Sequence, residues 1–271
     1  MQNIVKSLGN GLDEELREAL AGKQLFMQYQ PVVDFPVPGV ALRPSDRNAA
    51  VEALVRWNHR IRGAVSPLEF INVAEQSGLI DALSDLVFTT ACRQFVRWQE
   101  EVGTAAPRRL AVNVSRGQLS QAGFVGLVGD ILDVSGMPPE ALQIEVNETL
   151  AARDERLQNR LRELKRLGVR LAVDNFGTGD SSLVGLHRLP VDLVKIDRSF
   201  VAAALHSERH RVLIDATVRV AHSVGMQCGA EGIETDLQLG IVRELGCRSG
   251  QGFFFGEAMS AAHLSQWLAA V

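Results

Sequence analysis

The chain has 271 residues, 46% of them hydrophobic, enough for one large core. Twenty-eight basic residues stand against 32 acidic ones, and the formal net charge of −4 supplies no overall basic field for a nucleic-acid polymer. No apolar run is long enough to cross a bilayer and the N-terminus lacks a signal-peptide pattern, so no membrane insertion is expected and the cytoplasm is the expected location. Cys92, Cys228 and Cys247 are far apart and form no CxxC pair. They suit a reducing compartment and buried thiols better than a zinc site or a disulfide framework.

Residues 12 to 22, LDEELREALAG, read as a short amphipathic lead-in helix, with Leu16 and Leu20 four apart and Gly22 at its C-terminal end. Leu25 to Val33 reads as the first strand. Residues 35 to 49 carry Pro36, Pro38, Gly39 and Pro44 and read as an extended proline-rich loop. Val51 to Trp57 is the second strand. Ser66-Pro67-Leu68-Glu69 has the form of a capping box with proline at the first helical position, opening a helix that Gly78 ends. A longer helix is predicted over about 81 to 101, then a strand at Leu110 to Val114, a mostly helical stretch from 118 to 135, and a strand at Leu142 to Val146. Residues 154 to 167 place Leu157, Leu161 and Leu164 on one helical face, and Gly168 is the stop.

The stretch Val169 to Leu183, VRLAVDNFGTGDSSL, follows. Its first residues form a short apolar run typical of a buried parallel strand, which runs straight into Asp174, Asn175 and a Gly-Thr-Gly turn. Strands at Leu193 to Ile196 and Gln227 to Ala230 flank a helix at 208 to 224. Thr235 and Gln238 form a capping box for a helix that ends at Gly246. Arg248 to Phe254 contains the last strand, and 260 to 270 the last helix. About eight strands alternate with helices over residues 1–271, with no second composition regime and no linker. A single domain with a mostly parallel (β/α)8 TIM-type barrel is expected. The GxGxxG turn of an open dinucleotide-binding sheet is missing after the first strand.

Read together, the strands offer Gln30, Glu52, Asn113, Glu145, Asp174, Lys195, Glu231 and Gln251 at or near their ends. In a barrel these ends converge on one mouth. Carboxylates gathered at one point repel each other unless cations neutralise them. Oxygen donors with one amide favour Mg²⁺ or Mn²⁺, and such a pair of ions is suited to phosphoester hydrolysis. An aldolase-like role for Lys195 as a Schiff base would leave the carboxylates unexplained.

The ordered motifs resemble the EAL domain family of cyclic-di-GMP phosphodiesterases. Tyr29-Gln30-Pro31 precedes Glu52-Ala53-Leu54, which continues as Val55-Arg56-Trp57. Val112-Asn113-Val114-Ser115, Glu145-Val146-Asn147-Glu148, Asp174-Asn175-Phe176-Gly177, Lys195-Ile196-Asp197, Ala230-Glu231-Gly232 and Gln251-Gly252 follow in order. The resemblance implies a modified barrel whose first strand is antiparallel. It implies Glu52, Asn113, Glu145 and Asp174 as ligands of one metal ion, with Asp174 and position 175 serving a second. Glu231 and Lys195 are then catalytic, and Glu148 orders the loop after Asp174. Gln30, Leu54, Arg56 and Gln251 are implied substrate contacts. The implied substrate is cyclic-di-GMP and the product linear pGpG. A homodimer, and an upstream sensor or diguanylate cyclase domain, are open as partners. Position 175 is Asn where the family usually has Asp, so the second metal site is expected to be weak, and a non-catalytic cyclic-di-GMP receptor is the alternative reading. Position 180 is Asp where an aromatic residue is common, and the segment from Asp34 to Glu52 is longer than usual.

Overall fold

The computed structural model describes residues 2–22, 24–36, 40–42, 50–147, 154–177 and 189–269. Strand β1 (Leu25–Asp34) lies antiparallel to β2 (Ala50–His59), with Gln30 opposite Glu52. On its other edge β1 is antiparallel to β9 (Ser249–Gln251). From β2 the sheet runs in parallel through β4 (Leu110–Val114), β5 (Leu142–Asn147), β6 (Arg170–Phe176), β7 (Leu193–Ile196) and β8 (Gln227–Ala230) to β9. The β1 pairings close eight strands into a barrel. Strand β3 (Gly63–Val65) stands outside it, as a hairpin return on the far end of β2.

The strand sequences follow from this enclosure. Leu142 to Val146 is buried throughout because the barrel interior covers one face and helices cover the other. Pro31 is tolerated inside β1 because the β9 ladder has ended there: Val32 is the last residue opposite Gln251, and pairing on that side resumes only at Tyr29 with Met259.

Helix α1 (Gln2–Ala21) packs Leu12, Leu16 and Ala19 into the core. It is longer than the expected 12–22 element, since Gly9 and Gly11 weaken the helical signal upstream. The outer layer continues with α2 (Pro67–Ser77), α3 (Ile80–Val102), α4 (Arg116–Ser120), α5 (Phe124–Ser135) and α6 (Glu155–Arg166). It ends with α7 (Arg198–Ala204), α8 (Glu208–Ser223), α9 (Asp236–Glu244) and α10 (Ala261–Ala269). Leu157, Leu161 and Leu164 form the buried stripe of α6, as their spacing predicts. The capping box at Thr235 and Gln238 is made. The one expected at Ser66 is not: its side chain makes no capping hydrogen bond, and the helix start rests on the fixed backbone of Pro67. The stretch 118–135 is two helices, the first opened by an unforeseen capping box of Ser115 and Gln118. Helix α7 was also unforeseen; Asp197 caps it by accepting from the Ser199 backbone. The last strand, Ser249–Gln251, lies within the expected 248–254; just past it a Cβ at Gly252 would overlap the Ile233 backbone, so only glycine fits there.

Cys92, Cys228 and Cys247 are free and buried, as expected. No helix among the described residues is long and apolar enough to cross a membrane. Within 35–49, Phe35, Pro36 and 40–42 are neither helix nor strand; the rest of that segment lies outside the described residues.

Candidate active site

The parallel strands carry their polar residues to one end. Asn113 and Glu145 are directly paired across β4 and β5, so their side chains share a face. Asp174 lies further up β6, beside Asn147, and Lys195 follows on β7. Glu231 is one residue past β8, and Gln251 is the last residue of β9. Glu52 departs from the strand-end reading. It is the third residue of β2, because β2 runs on past the mouth to pair with β3. Gln30 likewise sits inside β1, opposite Glu52.

Lys195 is the hub. Its Nζ lies 2.5 Å from Glu145, 2.7 Å from Glu231, 3.5 Å from Asp174 and 3.6 Å from Glu52. Glu52, only 7% exposed, also accepts hydrogen bonds from Asn113 Nδ2 (2.5 Å) and Gln251 Nε2 (2.6 Å). Gln251 Nε2 also donates to Gln30 Oε1 at 2.9 Å, which joins two expected substrate contacts to an expected metal ligand. The amide of Asn175 donates to Asp174 Oδ2 at 2.8 Å. Asn175 has φ +56°, in the left-handed region that asparagine tolerates better than most residues, at a register shift between β6 and β7.

The electrostatics follow from burial. Burial pushes Glu145 up; Lys195 pulls it down and Glu52 and Asp174 push it back, leaving its pKa at about 8. Glu231 rises to about 7, chiefly through burial and against the pull of Lys195. Burial also pushes Glu52 up, but Lys195, Gln251 and Asn113 together outweigh it and hold Glu52 below the usual carboxylate range. Burial alone would lower Lys195; the surrounding carboxylates raise it well above its ordinary value, so the ammonium stays charged.

Four carboxylates thus share one ammonium. Asp174 Oδ1 is buried without a hydrogen-bond partner. An all-oxygen donor set with excess negative charge and a buried carboxylate oxygen that accepts no hydrogen bond fits a hard divalent cation. Among the described residues no three carboxyl groups already converge as ligands, since Lys195 holds the centre.

A pH dependence follows. In the metal-free protein Glu145 and Glu231 keep protons that the unfolded chain loses above about 4.5. The unfolded state then binds fewer protons than the native one, so stability falls as pH rises from about 4.5 through about 8. Thermal melts in chelator should show a lower Tm at pH 8.5 than at 5.5, with a shallower slope in Glu145→Gln. An equal slope in wild type and variant contradicts the assignment.

A cavity of about 420 Å³ opens over the cluster. Gln30, Glu52, Leu54, Asn175, Glu231 and Gln251 line it. Arg56 is not among its lining residues. It stands two residues past Leu54 on the same face of β2, its Nε donating to Gln28 at 3.0 Å. The expectation for Glu148 lies outside the described residues, as does that for Asp180. The lining also includes residues that were not expected: Asp197, Arg198, Glu234 and Phe253. Each lies within four residues of a strand's end, and that position was the signal available in the sequence.

The EAL domain family model matches residues 13–258.

The chain belongs to the EAL domain family.

Among the relatives of this EAL domain is the bifunctional diguanylate cyclase/cyclic di-GMP phosphodiesterase MucR of Pseudomonas aeruginosa, 38% identical over 92% of the chain and 35% of that protein. The cyclic di-GMP phosphodiesterase NbdA of the same organism is 37% identical over 96% of the chain and 32% of its own length. The chain therefore spans about a third of these curated relatives. A structure described as the PaMucR phosphodiesterase in complex with c-di-GMP superposes with a TM-score of 0.83 at 37% identity, covering 93% of this chain and 99% of that one.

Proposed function

We propose that this EAL domain hydrolyses cyclic-di-GMP to linear pGpG. The observation that carries this reading is the buried ring of Glu52, Glu145, Asp174 and Glu231 around Lys195 at the base of an open cavity, in a family whose relatives include cyclic di-GMP phosphodiesterases.

Glu52, Asn113, Glu145 and Asp174 would hold one Mg²⁺ or Mn²⁺, and Asp174 with Asn175 a second. When bound, the pair activates a water and stabilises the leaving oxygen of an in-line displacement. Glu231 faces the cavity with a pKa of about 7, a range in which a carboxylate readily takes the proton of an attacking water. The water oxygen bonds to phosphorus, the P–O3′ bond breaks, and the departing O3′ oxyanion takes up a proton equivalent to the one Glu231 accepted, so the product carries a 5′-phosphate and a 3′-hydroxyl. Lys195 offsets charge that builds on the phosphoryl oxygens, and Arg56 is a bidentate partner for a phosphate. Gln251 keeps Glu52 and Gln30 in register.

The direct test is incubation of the purified protein with cyclic-di-GMP and Mn²⁺ or Mg²⁺. Formation of pGpG is the expected result; tight binding without turnover would make the domain a receptor instead. An upstream cyclase or sensor domain and a homodimer belong to the same proposal, since MucR combines both activities in one longer chain.

Asn175 sets the metal requirement. Its amide occupies one oxygen of Asp174 by donating to it, where a carboxylate would supply a second anionic ligand. Asn175→Asp is expected to move the Mn²⁺ dependence of turnover to lower concentration by about 10–100-fold, using the effect of outer-shell partners as a lower guide. The gain should shrink as metal saturates. Without a leftward shift, Asn175 is not the weak ligand.

A further inference from the structure

Arg56 is the phosphate partner in the reading above, yet it is not among the residues that line the cavity. Its Cα lies four residues along β2 from that of Glu52, roughly 13 Å at the rise of a strand. A guanidinium on a long, flexible stem serves a phosphate at the cluster only if it is held back toward the cluster.

Gln28 supplies that hold. In the β1–β2 ladder Phe26 is opposite Arg56, Gln28 opposite Leu54 and Gln30 opposite Glu52, and these side chains share one face. Gln28 is thus the diagonal neighbour of Arg56, one cross-strand pair nearer the cluster. Its Oε1 accepts from Arg56 Nε at 3.0 Å, and Val55 O accepts from Arg56 Nη1 at 3.1 Å. Both residues lie on the Glu52 side of Arg56 along the ladder. Together they fix the plane of the guanidinium and leave N–H groups on Nη1 and Nη2 for a ligand.

The strands beneath this pair are pinned from the other face. Tyr29 and Trp57, next to Gln28 and Arg56, point the opposite way and are buried. Tyr29 meets Trp98 edge-on with ring centroids 4.8 Å apart, and Trp57 meets Phe70 at 5.9 Å. A slip of either strand would unpack these rings, so the offset between Gln28 and Arg56 is fixed.

We infer that Gln28 is a positioning residue for substrate: it orients Arg56 in advance, so that the free N–H groups meet a phosphate of the dinucleotide as a fork. This rests on the cyclic-di-GMP reading above. Gln28 itself touches no substrate atom. Its contribution is the rotamer freedom that Arg56 no longer loses on binding.

The test is a double-mutant cycle read by calorimetry of cyclic-di-GMP binding in chelator. Gln28→Met keeps the length of the side chain and removes the acceptor. Gln28 and Arg56 are both half-buried, and melting curves verify that each variant is folded. Gln28→Met should weaken binding by about 2- to 10-fold, the cost of immobilising one long side chain. With Mn²⁺ present, the loss should fall on KM more than on kcat, as for an interaction made equally in the ground and transition states. Arg56→Met should weaken binding by about 10- to 100-fold, the effect of a lost charge-assisted contact. In the double variant, with Arg56 gone, Gln28→Met should cost nothing further. A packing role for Gln28 would instead multiply its loss onto that of Arg56→Met. Multiplied losses, or no loss in either single variant, overturn the positioning role while leaving the hydrolysis reading intact. A wild-type protein that neither binds nor cleaves cyclic-di-GMP overturns the hydrolysis reading, and the positioning role with it.

Discussion

Glu52→Ala is expected to abolish cyclic-di-GMP hydrolysis, by well over the ~10²-fold that marks the loss of an outer-shell partner. Glu52 is the carboxylate with most connections in the cluster. It accepts from Asn113 and Gln251 and lies 3.6 Å from Lys195. It is also the carboxylate whose pKa is held low, because Lys195 and the two amides outweigh its burial. It is therefore the one best prepared to meet a cation as an anion. Alanine removes that charge and leaves two amide donors without their acceptor. The fold should survive, because the repulsion that Glu52 exerts on Glu145 and Glu231 disappears too. Wild-type turnover in a folded Glu52→Ala protein would sink the site assignment. Retained melting with lost turnover and a weakened calorimetric Mn²⁺ signal is the expected combination.

Lys195→Met should have the second large effect, on stability as well as rate. Removing one partner from a buried charge cluster typically costs about 3–5 kcal/mol. The cost should appear in metal-free protein at pH 8 and diminish near pH 5. At the lower pH, Glu145 and Glu231, already raised to about 8 and about 7, hold protons and no longer need the ammonium. Mn²⁺ should raise the Tm of the variant more than that of wild type at pH 8, since a cation then meets carboxylates with no internal counter-charge. Turnover should stay low even with metal, by about 10²–10³-fold, if Lys195 stabilises developing phosphoryl charge. Equal melting of the two proteins at pH 8 would show that Lys195 does not balance the cluster.

The sequence reads well where side-chain period and backbone geometry agree. Asn113, Glu145, Asp174 and Lys195 stand within two residues of the ends of short parallel strands, and a two-residue period puts them on one face. Glu52 was identified for a reason the structure corrects. A strand-end position predicts its chemistry, yet it lies near the start of β2. The β3 return that lengthens β2 is three residues long and leaves almost no signal beyond Gly63, at φ +72°. The direction of β1 could come only from family resemblance, because residue alternation is the same in parallel and antiparallel strands. The left-handed backbone of Asn175 depends on a local register shift that no residue pattern encodes. Arg198 and Glu234 were passed over because a charged residue after a strand is ordinarily a solvated loop residue.

The reversal of β1 has a mechanical consequence. In an all-parallel barrel the first strand begins at the floor, far from the catalytic rim. Here Leu25 begins at the rim instead, opposite Trp57, and Gln30 beside Glu52 lies five residues on, roughly 17 Å at the rise of a strand. Helix α1 thus hands the chain over at the end of the barrel that carries the carboxylate cluster, and Glu15 on that helix lies 3.5 Å from His59 at the end of β2 and 3.3 Å from Arg62 in the turn after it. A pull on α1 would load the β1–β2 ladder in shear, along the direction in which all its hydrogen bonds resist together, and the same ladder carries Glu52. The longest ladder of the barrel wall is therefore also the hydrogen-bonded route from the helix to the carboxylate cluster.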